Sequence, residues 1–260
     1  MQNITEIYEG LEFKAGKLTG YLPVYEEIFS DFRDKEFTFV EVGVMGGGSL
    51  EMWRKYFGPK ARIIGIDFNP NALKMKEHGF EIFIGDQSDV AFWKKFYEEV
   101  GPIDLLLDDG GHTNKQQIVT VESSIQNIKD GGSILIEDVG ASFIRSFGNP
   151  SAHSFLNYAK FKINRLYARN SALGLEAENK FTDNIFSVNF YDSMVAFKVK
   201  KSSCHSSLVK NTGYRDIEAE DYRFSDKILF NSENLILKFF DKLYRNLSTV
   251  LENRSLKKYF

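Results

Sequence analysis

The chain has 260 residues, 43% of them hydrophobic, with a formal charge of −3 at pH 7 and a pI near 5.9. That length buries a substantial core and allows one large domain plus an appendage, while the weak acidity excludes the global basic footprint that grips nucleic acid. A single cysteine, Cys204, excludes an internal disulfide, the opening MQNITEIYEG lacks a leader pattern and no apolar run reaches the ~20 residues that cross a bilayer, so a soluble, cytoplasmic protein is expected.

Residues 1–36 read as an N-terminal lid or cap segment, with a helix over Tyr21 to Ser30 and Pro23 in its first turn, where proline is tolerated. The first strand, 37–42, runs into "FVEVGVMGGGSLEMW", with Glu41 near its end and Gly43, Gly46, Gly47 and Gly48 before a helix over 49–57. Such glycines let the backbone turn tightly and approach a ligand. A glycine turn kept for packing alone is the bland alternative. The spacing Gly43, Gly46, Gly48 is not the dinucleotide fingerprint G-x-G-x-x-G, and the Glu41 carboxylate suits a cationic amino-acid ligand better than a pyrophosphate.

The second strand, 62–67, ends at Asp67, about 20 residues past the glycines, where an acid can accept hydrogen bonds from ribose hydroxyls. After a helix at 70–77, the third strand, 80–85, delivers Asp86 and Gln87, a polar pair suited to an adenine amino group. Taken singly, each acid also suits a turn or helix cap. Together they outline a nucleoside.

A helix at 90–99 leads to the fourth strand, 103–108, and then "DDGGHT"; a helix over 114–128 leads to a fifth, 133–138, ending in Glu137-Asp138. Strand and helix alternate as in parallel βαβ units covered on both faces. "NIFSVNFYDSMVAFKVK" (184–200) reads instead as an antiparallel pair hinged on Tyr191-Asp192, so the sheet is mixed at one edge. Residues 37–200 form the expected catalytic domain and 201–260 a helical appendage. In the latter, Leu235, Phe239, Leu243, Leu247 and Leu251 recur every four residues, a stripe that suits docking on its own domain or on a second copy. A homodimer or higher homo-oligomer is expected.

"EVGVMGGGSLEMWRKYF", "IIGIDFNP", "IGDQSD", "LLLDDGGHT", "ILIEDVG" and "FYDSMV" together resemble the class I S-adenosylmethionine-dependent methyltransferases. The similarity is to the metal-dependent sugar O-methyltransferases of macrolide and aminocoumarin sugars, from about Gly16 to Lys200. It implies a Rossmann-like α/β fold, a mostly parallel seven-stranded sheet with an antiparallel edge strand, and helices on both faces. It implies S-adenosylmethionine binding through Glu41, Gly43, Gly46, Asp67, Asp86 and Gln87. In such a sheet the fourth and fifth strands are neighbours ~4.8 Å apart, so Asp109, Glu137 and Asp138 converge and call for a cation. The family's equivalents of these three hold a divalent metal, here expected to be Mg²⁺ or Mn²⁺, and its histidine at the position of His112 is the proposed general base. Asp108 is expected to support the site or accept backbone hydrogen bonds. Tyr21 and Tyr25 precede the sheet where the family folds a segment over cofactor and acceptor, with core packing as the alternative role.

The function implied is methyl transfer to a hydroxyl of a sugar, expected to be nucleotide-linked or otherwise activated, in surface-polysaccharide or natural-product biosynthesis. The alternatives are methylation of another small diol or phosphorylated metabolite, and a non-catalytic S-adenosylmethionine-binding partner. For "DDGGHT" itself the alternative is a helix cap with a solvated histidine. A nicotinamide-dependent dehydrogenase is disfavoured by the glycine spacing.

Overall fold

The computed structural model describes residues 2–147, 152–170, 173–205 and 213. These lie, Gly213 apart, within a unit spanning Met1–Ser207. The apolar stripe of the expected 201–260 appendage falls outside the described residues.

Seven strands form one sheet: β1 (Thr38–Val42), β2 (Arg62–Asp67), β3 (Glu81–Ile84), β4 (Ile103–Asp108), β5 (Ile128–Ile136), β6 (Ile185–Tyr191) and β7 (Met194–Val199). Their order is β3-β2-β1-β4-β5-β7-β6. Strands β1 to β5 are parallel, and β7 pairs antiparallel with both β5 and β6. This is the mixed, Rossmann-like methyltransferase sheet. The chain leaves β1 toward β2 and returns on the other side of β1 as β4, so a crevice opens where the loops after β1 and β4 diverge.

Alternate residues of each strand feed different layers, as a period of two requires. Phe39, Ile63 and Leu105 pack with α1 (Ile4–Glu9), α2 (Tyr21–Phe29) and α3 (Gly48–Phe57), where Tyr25, Phe29, Trp53 and Phe57 form an aromatic cluster. Val40, Ile64, Leu106 and Ile134 pack on the opposite face against Trp93 and Phe96 of α4 (Val90–Val100), Val121 of α5 (Asn114–Ser124) and Phe155 of α6 (Phe155–Tyr167). Both faces are covered, which is why the strands carry so few polar residues.

Two expected helices differ in detail. Pro70–His78 is a 3-10 helix, begun where the Asn69 side chain accepts from the Asn71 N–H and ended at Gly79 in the left-handed region (φ +83°). The helix expected over 114–128 stops at Ser124, because Ile128 pairs with Ile103 and already belongs to β5. That strand closes at Ile136, leaving Glu137 and Asp138 just past the sheet.

Candidate active site

A cavity of about 670 Å³ lies at the carboxyl ends of β1 to β4, within the size range of small-molecule sites. Its first wall is the turn after β1. Gly43 (φ +95°) passes so close to the β4 loop that a Cβ there would stand 2.1 Å from the Asp109 carbonyl oxygen. The next glycines serve a different neighbour. A Cβ on Gly48 would lie 2.6 Å, and one on Gly46 3.1 Å, from the Lys14 carbonyl. The backbone near Lys14 therefore lies against the glycine turn, and the Glu51 carboxylate holds it there by accepting the N–H groups of Glu12 and Phe13 at 2.9 Å.

Asp67, at the end of β2, holds this wall in shape. One of its oxygens accepts the N–H groups of Val44 (2.8 Å) and Met45 (3.0 Å), the other that of Asn69 (2.7 Å). Its neighbours Met45 and Phe68 are 95% and 77% exposed at the cavity mouth. Large apolar groups offered to solvent beside a carboxylate suit a flat, partly polar ligand.

The residues expected to meet the cofactor divide. Gly43, Gly46, Asp67 and Asp86 line the cavity. Asp86 also accepts the Ser88 N–H at 2.7 Å. Gln87 touches the cavity too, yet its amide is spent inside the protein: it donates to both oxygens of Asp108 and accepts the Gly111 N–H at 2.9 Å. Glu41 lies behind the wall, fully buried, accepting from the Ser49 hydroxyl (2.8 Å) and the Trp53 indole (3.2 Å). Burial pushes its carboxyl up to about 7, against the pull of Lys17. Its charge bears on a ligand only through the groups above it.

Opposite the glycine turn, the loops after β4 and β5 bring Asp109, His112, Glu137 and Asp138 together. Carboxylate oxygens of Asp109 and Asp138 and a ring nitrogen of His112 lie within 4.8 Å of one another. His112 Nε2 stands 3.4 Å from Asp138 Oδ2. Its Nδ1 is buried with no hydrogen-bond partner. His112 and Asp138 both hold left-handed backbone, φ +56° and +53°, and so does Met45 at +46°. Non-glycine residues held in that region cost free energy that the surroundings must offset, and such residues gather at functional sites. Downstream, Thr113 and Gln116 form a reciprocal cap that starts α5, so the cap of that helix is Thr113, and Asp109 is left free for other work.

Glu137, buried beside that trio, is not one of its three members. Its carboxylate accepts from the Tyr25 hydroxyl at 2.5 Å and from the Lys17 ammonium at 3.0 Å. Lys17 also donates to Asp109 at 2.5 Å and lies 3.8 Å from Glu41. Burial alone would lower the Lys17 pKa, but Glu137, Asp109 and Glu41 hold it above the usual lysine value. Burial raises Glu137, with Lys17 opposing it. The Tyr21 hydroxyl donates to Asp138 at 2.6 Å. The segment before the sheet thus reaches the carboxylates through Lys17, Tyr21 and Tyr25. Of these, sequence reasoning passed over Lys17 and gave the two tyrosines only a general place.

The donor set fits a hard divalent cation. Carboxylate oxygens of Asp109 and Asp138 converge with a ring nitrogen of His112, and the Lys17 ammonium bridging Asp109 and Glu137 marks where that pair already requires positive charge.

No family model matches the chain. Among curated proteins it is 33% identical over 142 residues to the 8-demethyl-8-(2-methoxy-alpha-L-rhamnosyl)-tetracenomycin-C 3'-O-methyltransferase of Streptomyces olivaceus, covering 52% of this chain and 36% of that protein. It is 32% identical over 146 residues to the mycinamicin VI 2''-O-methyltransferase of Micromonospora griseorubida, covering 52% and 35%. Among solved structures it resembles the MycE methyltransferase from the mycinamycin biosynthetic pathway in complex with Mg and SAH, with a TM-score of 0.68 and 25% identity, covering 76% of this chain and 54% of that one. The chain is thus related to macrolide-type sugar O-methyltransferases, and it spans about a third of the length of the curated relatives it matches.

Proposed function

We propose that the chain is an S-adenosylmethionine-dependent, divalent-metal-dependent O-methyltransferase acting on a sugar hydroxyl of a small glycosylated or nucleotide-activated acceptor. The observation that carries this reading is the single cavity wall-to-wall: a glycine turn and Asp67 on one side, and Asp109, His112 and Asp138 on the other. A nucleoside seats on the first wall, its ribose toward Asp67 and its purine toward Asp86, Phe68 and Met45. The methyl group then points toward the second.

Asp109, Asp138 and Glu137 are the residues that would hold the metal. Bound there, a divalent ion lowers the pKa of an acceptor hydroxyl and fixes its direction. His112 takes the hydroxyl proton as the oxygen attacks the methyl carbon. The new O–C bond forms as the S–C bond breaks, the sulfonium leaves as a neutral thioether, and the proton stays on the imidazole. Tyr21 orients Asp138 and Tyr25 orients Glu137 through their short hydrogen bonds. The relatives named above act on sugars of glycosylated natural products, and natural-product or surface-polysaccharide biosynthesis is the setting that follows. Association of the chain into a homo-oligomer, through its 201–260 segment or its N-terminal segment, belongs to the same reading.

A second reading of His112 has its own support: its ring nitrogen belongs to the compact trio with Asp109 and Asp138, as a ligand would. The two roles part in one variant. His112→Ala keeps Mn²⁺ affinity if the imidazole is a base and loses it if the imidazole is a ligand.

The test is a screen of glycosylated and nucleotide-linked sugars for release of S-adenosylhomocysteine, with Mg²⁺ and with chelator. Turnover that needs Mg²⁺ supports the proposal. Full turnover in chelator removes the metal from it, and turnover only with non-sugar diols changes the acceptor class.

A further inference from the structure

Lys17 is the one group of the cluster that neither the sequence motifs nor the methyl-transfer reading calls for. It lies 92 residues from Asp109 and 120 from Glu137 in the chain. Its side chain is only 3% exposed, yet it lies at the cavity wall. All three of its ion-pair partners are carboxylates, Asp109 at 2.5 Å, Glu137 at 3.0 Å and Glu41 at 3.8 Å, and the last two are 1% and 0% exposed. Lysine is seldom buried this far unless paired, and the pairing here is with the very acids that would draw a metal.

Asp109 is the shared element. One of its oxygens meets Lys17, while the residue also belongs to the trio with His112 and Asp138. A permanent positive charge beside Asp109 and Glu137 stabilises them in a chain without metal. It also repels any second cation brought to the same acids.

We propose, resting on the metal-dependent reading above, that Lys17 is the built-in counter-cation of this site: a positioning residue that holds Asp109 and Glu137 in place and weakens the cluster's attraction for divalent ions. Lys17 ties the two carboxylates to the segment that crosses the glycine turn, which Glu51 and the Tyr8 hydroxyl also fasten. The repulsion between Asp109 and Glu137 is thereby offset, and the divalent affinity is set by competition with an ammonium that cannot diffuse away.

The experiment uses the full chain, stripped of metal, as wild type, Lys17→Met, Lys17→Arg and Lys17→Met/Glu137→Gln. Thermal unfolding is followed without metal, and Mn²⁺ binding is followed by electron paramagnetic resonance without S-adenosylmethionine. Breaking one partner of a buried ion pair is far more costly than removing both. Lys17→Met should therefore lower Tm by roughly 10 °C, and the double variant should regain at least half of that. Lys17→Met should bind Mn²⁺ at least about tenfold more tightly than wild type, because a repelling charge has gone, and Lys17→Arg should stay near wild type. If Lys17→Met fails to fold, recovery of folding in the double variant supports the proposal, and failure of both overturns it. Unchanged or weaker Mn²⁺ binding by Lys17→Met also overturns it. A wild type without Mn²⁺ affinity defeats the metal-dependent reading instead, while tight binding by Lys17→Met in that same experiment would leave the role of Lys17 standing.

Discussion

The Gln87 amide donates to both carboxylate oxygens of Asp108, at 2.9 and 3.0 Å, in a wholly buried pair that joins the end of β3 to the end of β4 across β2 and β1. Further bonds extend the link: Asp108 accepts the Gly110 N–H at 3.1 Å, Gln87 accepts that of Gly111, and the Gln87 amide also donates to the Thr120 hydroxyl at 3.3 Å. Burial raises the Asp108 pKa, with Gln87 and Gly110 opposing it. Asp108→Ala leaves the Gly110 N–H unpaired and the Gln87 NH2 with only the Thr120 hydroxyl, at 3.3 Å. It should lower unfolding free energy by roughly 2–4 kcal/mol, since each buried group left without a partner costs about 1–3. Urea denaturation measures this, and a loss under about 0.5 kcal/mol would mean that the pair does not hold the "DDGGHT" loop.

Gly43→Ala should be among the least tolerated single changes in the cavity wall. Its φ of +95° and the 2.1 Å approach to the Asp109 carbonyl meet in one residue, and the obstacle is backbone that cannot rotate away. Gly79→Ala is the control, with φ +83° but nothing within 4 Å. The control should lose only the ~1–2 kcal/mol of a left-handed backbone, and Gly43→Ala distinctly more. Equal losses in the two would show that the Asp109 contact carries no weight.

Glu41 predicts a pH dependence. Its folded pKa of about 7 stands above the ordinary 4.5, because burial outweighs the help of Lys17. Between those values the folded chain binds more protons than the unfolded one, so this group's contribution to stability falls as pH rises from 4.5 through 7. Glu41→Gln keeps an acceptor for Ser49 or Trp53 and removes the titration. The Tm of wild type relative to Glu41→Gln should therefore decline between pH 5 and pH 8. A difference that stays flat or grows with pH would contradict a carboxyl whose burial outweighs the help of its partners.

His112→Ala, in the base reading, should lower kcat by roughly 10²–10⁴ while leaving S-adenosylmethionine affinity intact. Raising the pH should restore part of the rate, since the acceptor hydroxyl then ionises without help. Steady-state kinetics across pH checks both points, and a normal kcat would return His112 to a structural role.

Much of this was legible in the sequence because the strands are apolar runs ending in charge. "RIIGID" and "IDLLLD" match β2 and β4 residue for residue, and the turn between β6 and β7 falls at Asp192 and Ser193, one residue past the expected hinge on Tyr191-Asp192, because Tyr191 still pairs with Met194. Expectations failed where a residue's role depends on register across strands. Gln87 follows a strand end, as a ligand-reading residue does, but only the placement of β3 beside β2 and of β4 beside β1 reveals that Asp108 claims it. Glu137 and Asp138 are adjacent in sequence, yet they face different partners because Asp138 takes a left-handed conformation. Lys17 gave no signal at all. An isolated lysine in a polar segment reads as a solvated charge, and its three acidic partners lie on other elements.

The most direct measurement is calorimetric titration of S-adenosylmethionine into the wild-type chain and into Asp67→Ala, with NAD as the control ligand. The account predicts one saturable site for S-adenosylmethionine, affinity lowered by about 1–3 kcal/mol in Asp67→Ala as ribose hydroxyls lose their acceptor, and no binding of NAD. Absence of S-adenosylmethionine binding to the wild type, or equal affinity in the two chains, would contradict it.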